Sequence, residues 1–272
     1  MSEDLFRLHA GTTPLLISLP HVGTQVPAAL YAGFVERALD VEDTDWHLES
    51  LYDFAQELGA SLLAARHSRF VIDLNRPPQD EPLYAGANNT QLCPTRFFSG
   101  EPLYRAGHEP DAAEIARRRQ TYWQPYHGAL AREIERLRAV HGHALLLDGH
   151  SIRSELPWLF EGKLPDLNLG TASGQSCAPS LRTALCEVLE EATNFEPRYT
   201  YVVDGRFRGG YITRRYGQPG EGVHAVQLEM CWSCYMQEHA PYVIDEARAL
   251  YLRPLLRELA ATMLAWSAQH AK

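Results

Sequence analysis

Apolar and polar positions alternate along this chain in two different rhythms. Short continuous apolar runs, "LLISL" at 15–19, "ALLLD" at 144–148 and "VHAVQLEM" at 223–230, have the length and branched content of buried strands. The stretch "LFRLHAGTTPLLISL" predicts a hairpin whose second strand is Leu15–Leu19. "ASLLAARHSRFVIDLNRPP" predicts two short antiparallel strands around a tight turn, and "RYTYVV" one more. Elsewhere the spacing is helical. Leu48, Leu51, Tyr52, Phe54, Ala55 and Leu58 fall on one face, with Asp and Thr ahead of them and Gly59 as the stop. Residues 111–141 predict a helix kinked at Pro125, 180–193 another, and the C-terminal residues a long one. Two stretches, 77–110 and the residues up to about Pro179, carry no periodicity, and long loops of that kind inside a domain are usually functional. Strands alternate with helices, and no repeat, low-complexity tract or linker divides the chain. The expected fold is α/β, a single domain over 1–272 with a mixed sheet between helices.

Composition narrows the class of protein. The chain is 45% hydrophobic, 22% charged and 10% aromatic, ordinary values for a globular domain. A net charge of −9 argues against nucleic acid or an anionic membrane as partner, so an anionic ligand needs a local group of arginines. The apolar runs are too short to span a bilayer, and the acidic start "MSEDLFRLHAG" has no apolar signal-peptide core. Cytoplasm is the expected compartment. Five cysteines, an odd number, do not suggest a disulfide framework. Cys231 and Cys234 form a C-x-x-C pair with no second pair to complete a zinc ribbon, and they read as packing thiols.

Candidate chemistry lies where apolar runs end. "LLISLPH" ends at His21, "LLLDGH" at His150 and "AVQLE" at Glu229. Taken singly, each reads as a structural residue. If the strands are parallel neighbours, their carboxyl ends meet at one sheet edge. Two imidazoles and a carboxylate then make a three-ligand zinc site with one open position, and a nearby Glu a general base. The third ligand is expected from "EDTDWHLE", where Asp43 and Asp45 both compete with helix capping and Trp46 could wall the site. Asp148 suits hydrogen bonding to a ligating histidine. No H-E-x-x-H motif occurs.

The arginines form two groups. Arg76 ends the expected strand "FVIDLN" and Arg69 begins it, which would put them roughly 20 Å apart and only Arg76 in reach of the site. "GRFRGGYITRR" adds Arg206, Arg208, Arg214 and Arg215 around Gly209 and Gly210, where backbone N–H groups could approach an anion. The planar guanidinium fork suits a carboxylate.

The blocks "SLPHVGTQVP", "DTDWHLESLYDFA", "SRFVIDLNRPP", "LLLDGHSIRSELP", "DGRFRGGYITRRYGQP" and "HAVQLEM", in this order, resemble the N-formylglutamate amidohydrolase (deformylase) family. The resemblance runs from about residue 14 to 232. It implies a zinc-carboxypeptidase-like (phosphorylase/hydrolase-like) fold with a mainly parallel sheet. It also implies one zinc per chain, and hydrolysis of the dianion N-formyl-L-glutamate to formate and L-glutamate in a histidine-degradation route. On this likeness His21, Asp45 and His150 are the metal ligands and Glu229 is the general base. Asn75 and Arg76 correspond to a carboxylate-gripping pair, with help from Arg208 or Arg214 beside Gly209 and Gly210. Another zinc N-acyl-amino-acid amidohydrolase or peptidase, and a non-catalytic protein that binds acidic amino acids, are the alternatives.

Overall fold

The computed structural model describes residues 5–82, 88–194 and 196–270; the 83–87 part of the expected 77–110 loop and residues 1–4 lie outside them. The strands are β1 (Phe6–His9), β2 (Leu15–Leu19), β3 (Ser61–Ala65), β4 (Ala144–Ile152), β5 (Leu167–Gly170), β6 (Tyr201–Val203) and β7 (Val223–Cys231). The helices are α1 (Leu48–Leu51), α2 (Ala112–Arg118), α3 (Gln124–His141), α4 (Pro179–Glu191), α5 (Tyr211–Tyr216) and α6 (Glu246–His270). Among the described residues the strands form one sheet in the order β1-β3-β2-β4-β7-β5-β6. β3, β2, β4 and β7 run parallel, while β1 and the β5–β6 pair run against them. The result is the expected single mixed α/β domain.

Each central strand is buried on both faces. Leu15, Ile17, Leu145, Leu147, Val226 and Leu228 pack towards α4 and α6. Leu16, Leu146 and Ala225 pack towards α3 and α5. Burying both faces between helices is what continuous apolar runs such as "ALLL" require. No helix among the described residues is long and apolar enough to cross a membrane.

Four local expectations are corrected. β1 and β2 do not form a hairpin: β3 lies between them, pairing antiparallel with β1 and parallel with β2. The link after β1 rests on the turn before β3, where Thr12 and Thr13 N–H donate to the Gly59 carbonyl. Gly11 lies so close to that turn that a Cβ there would sit 2.3 Å from the Gly59 oxygen. The helix expected with Leu48 to Leu58 on one face and Gly59 as its stop shortens to α1 and a 3-10 turn at Asp53–Ala55. The break in the 111–141 helix is a π turn at Arg119–Trp123, so Pro125 falls in the first turn of α3, where its missing N–H costs little.

The fourth correction matters most for the site. "RFVIDLN" is not a strand but a run of turns. Its carbonyls and those of the residues just after it are held from other elements instead of by a ladder. Arg118 Nη1 donates to Val71 O (3.1 Å), His127 Nε2 to Leu74 O (2.8 Å), Trp123 Nε1 to Arg76 O (3.0 Å) and Arg119 Nη1 to Pro78 O (2.9 Å). The Tyr211 N–H donates to Asn75 O at 3.3 Å. Most of these donors come from α2, the π turn and α3, which accounts for the turn's position opposite the segment.

Candidate active site

Along the α3-facing side of the sheet the side chains turn from apolar to polar within two steps. On β4 the face reads Leu146, Asp148, His150; on β7 it reads Ala225, Gln227, Glu229. The parallel register pairs Asp148 with Gln227 and His150 with Glu229, so four polar groups stand side by side at the carboxyl edge. β2 pairs Ser18 with Asp148, and His21 follows just beyond that strand's end. The rings of His21 and His150 come within 4.9 Å of each other. The three apolar runs do converge on one edge.

Asp45 completes the group. Its N–H donates to the His21 carbonyl at 3.0 Å, which folds the 42–46 loop back over the strand end. Asp45 Oδ2 lies 3.1 Å from His150 Nδ1 and 3.6 Å from His21 Nδ1, and one ligand atom from each residue falls within 4.8 Å of the others. Burial works to raise the Asp45 carboxyl, but hydrogen bonds and charges from His150 and His21 outweigh it and hold the carboxyl well below the usual range. Asp43 points elsewhere, accepting the Phe98 N–H at 2.9 Å, and burial pushes its carboxyl up to about 7. Neither aspartate caps a helix. Trp46 stacks on Tyr242 at 5.3 Å and does not line the pocket.

Each imidazole is fixed at its far nitrogen. His21 Nε2 meets Asp73 Oδ1 at 2.7 Å, and His150 Nε2 meets Asp148 Oδ2 at 3.1 Å. A carboxylate beside Nε2 orients each ring and leaves Nδ1 facing inward, the arrangement found behind metal-ligating histidines. His21 Nδ1 and Asp45 Oδ1 are buried with no hydrogen-bond partner, so the set has unspent donor atoms aimed at one point. Two nitrogens and an oxygen in that arrangement suit a divalent metal ion. Glu229 is 7% exposed, and burial raises its carboxyl to about 8 against the pull of His150 and Arg69.

Asp73, absent from the sequence reading, is the hub of the segment that is not a strand. It is fully buried, and its Oδ1 also accepts the Asn75 N–H at 2.8 Å. Its Oδ2 takes Arg69 Nη2 at 3.0 Å and faces Arg76 Nε at 4.0 Å. Arg69 therefore lies in the site and not at the far edge of the sheet: its Nη1 is 3.6 Å from Asp45 Oδ1 and its guanidinium lies over Phe98. Turns in place of extended chain bring Arg69 and Arg76 to one carboxylate.

The remaining expectations divide. Arg76 lines the pocket, with Nε and Nη2 on the Thr90 carbonyl and hydroxyl at 3.0 and 2.5 Å. Asn75 also lines it, but its amide is used in holding the site together: Nδ2 lies 2.9 Å from His150 Nε2 and donates to Asp148 Oδ2 (3.3 Å), and Oδ1 accepts the Ile212 N–H (2.8 Å). Gly210 is there for clearance, since a Cβ would sit 2.3 Å from the Asn75 amide, and its N–H is given to Gln227 Oε1 at 2.7 Å and not to an anion. Gly209, Arg208 and Arg214 are not part of the pocket wall; Arg208 Nε donates to Gly205 O and Arg214 Nε to Gly209 O. Arg206 and Phe207 line the pocket instead, together with Gln227 and Glu229.

A buried histidine–aspartate–histidine set at the edge of parallel strands, beside a pocket walled by arginines and apolar residues, defines a mixed α/β protein with a candidate metal-dependent hydrolytic centre. Comparison with known proteins gives the family. The N-formylglutamate amidohydrolase family profile matches residues 13–236. An N-formylglutamate deformylase of Pseudomonas putida is 51% identical over 267 residues, covering 98% of both chains. Another from Pseudomonas aeruginosa PAO1 is 50% identical over 264 residues, covering 97% of both. The crystal structure of an N-formylglutamate amidohydrolase from Ralstonia eutropha JMP134 superposes with a TM-score of 0.82 at 25% identity, over 98% of this chain and 99% of that one. The chain belongs to the N-formylglutamate amidohydrolase family.

Proposed function

We propose that this protein hydrolyses N-formyl-L-glutamate to formate and L-glutamate, with one zinc ion held by His21, Asp45 and His150. The observation that carries the reading is the pair of inward-facing Nδ1 atoms, each with a carboxylate behind its ring, around a buried Asp45 with one oxygen free of hydrogen bonds. Close relatives named as N-formylglutamate deformylases supply the substrate.

Zinc at that point supplies Lewis acidity towards water and the formyl oxygen. Asp73 and Asp148, beside the two Nε2 atoms, orient the imidazoles. Glu229, paired in register with His150, takes the proton of the attacking water as carboxylate and delivers it to the amide nitrogen as the C–N bond breaks. Burial raises this carboxyl above the usual range, which favours its holding the proton it takes until the nitrogen needs it. Arg69 and Arg76, hung on Asp73 next to the histidines, receive the substrate's α-carboxylate.

Metal analysis and formate release on the purified protein test this reading together. About one zinc per chain is expected, with formate released from N-formyl-L-glutamate, lost on chelation and restored by zinc. Full turnover in metal-free protein, or no formate release from the zinc-loaded protein, contradicts it.

A further inference from the structure

We propose that Arg206 is the specificity-determining residue of this site, the one that recognises the side-chain carboxylate of the substrate. The inference rests on the N-formylglutamate reading and deepens it. In that substrate the α-carboxylate hangs on the carbon next to the scissile amide, whereas the side-chain carboxylate stands two methylenes farther out. The pocket is lined by guanidiniums from two separate parts of the chain, Arg69 and Arg76 on one segment and Arg206 on another. Arg69 and Arg76 both lean on Asp73, which also holds His21, so they serve the end nearest the reacting bond. Arg206 comes from the chain after β6. Its Nε and Nη2 donate to Leu159 O and Asn88 O, both at 3.3 Å, which fixes its guanidinium on that wall of the pocket. Ile152, Leu159, Phe98 and Phe207 line the same pocket and offer apolar surface to the two methylenes. A wall that anchors a guanidinium through backbone carbonyls keeps it in place before substrate arrives, which limits the ordering cost of binding an anion. Such a site rejects an analogue lacking the charge, because the cation then loses its partner.

The test compares kcat/KM for N-formyl-L-glutamate and N-formyl-L-glutamine, a near-isosteric neutral analogue, in the zinc-loaded protein and in Arg206→Gln, Arg206→Lys and Arg208→Gln. The unmodified protein should prefer the glutamate substrate. Arg206→Gln should cut kcat/KM for that substrate by at least about thirtyfold and change the value for the glutamine substrate little, so the preference collapses. Arg206→Lys keeps the charge without the fork and should lose part of the preference, which covers the case of a Gln variant that does not fold. Arg208→Gln should keep the whole preference. An Arg206→Gln protein with the full preference, or one in which both substrates fall equally, overturns the assignment while the parent function stands. Absence of formate release from either substrate in the unmodified protein overturns the parent reading and this one with it.

Discussion

The edge formed by β4 and β7 and the segment Arg69–Arg76 reach the same pocket by opposite means. On the edge, the backbone ladder does the positioning: nine register pairs lock Ala144–Ile152 against Val223–Cys231, and every second side chain follows from the pleat. In the segment no ladder exists. Arg76, Leu74 and Asn75 are set by single hydrogen bonds to their carbonyls from the π turn, α3 and α5, reaching across tens of residues of sequence. The first region gives His150 and Glu229 a rigid seat for chemistry. The second gives Arg69 and Arg76 a seat assembled from side chains, which a point substitution can loosen.

Damage to the two regions should therefore look different. The largest effect is expected at the metal ligands: His150→Ala or His21→Ala should drop zinc far below one per chain and lower formate release by at least about a thousandfold. Asp45→Asn should behave likewise and Asp43→Asn should keep its metal; metal loss in the Asp43 variant alone would reassign the third ligand. Next comes Arg69→Gln, which leaves the buried Asp73 charge short of its 3.0 Å partner. A loss of about 3–5 kcal/mol is expected from denaturant titration, whereas an unchanged midpoint would return Arg69 to the far edge of the sheet.

A third comparison uses pH. His127, buried under Trp123 and Tyr216, has its imidazole lowered to about 4 by burial, against an unfolded value near 6.5. Between these values the unfolded chain binds the extra proton, so stability should fall as pH falls from 6.5 to 4. His127→Gln should flatten that limb by on the order of 2 kcal/mol, read from unfolding midpoints at pH 7 and 4.5. An unchanged acid limb would mean that His127 does not hold Leu74 as a neutral donor. The smallest effect is expected of Trp123→Phe, which keeps the ring but deletes the bond to Arg76 O. About 1 kcal/mol of stability should go, with KM raised several-fold and zinc content intact; loss of zinc instead would tie this strut to the ladder-borne edge.

The same contrast explains what could be read from the sequence. β2, β4 and β7 were legible because the switch from apolar to polar falls on one face at the end of each run, as in Leu146, Asp148, His150. The buried, free thiols of Cys231 and Cys234 likewise match their reading as packing residues. "RFVIDL" carries the branched residues of a strand, and nothing local reveals that its carbonyls are taken by Arg118 and His127 some fifty residues on. Arg69 and Asp73 were lost for that reason. In "GRFRGGYITRR" no periodicity says which arginine faces inward, so the sequence points to Arg208 or Arg214 where the pocket wall has Arg206. Asp43 and Asp45 differ only in which way a loop turns, and the hydrogen bond from Asp45 N–H to the His21 carbonyl decides it.

The most direct measurement of the central claim is formate release by Glu229→Gln, with zinc content and thermal melting taken on the same preparation. Gln is nearly isosteric, so fold and metal should be retained. The amide can neither take the water's proton nor return it to nitrogen, and turnover should fall by at least about a hundredfold. A stable, zinc-loaded Glu229→Gln protein with near-normal formate release would contradict the assignment of this buried acid to the chemistry.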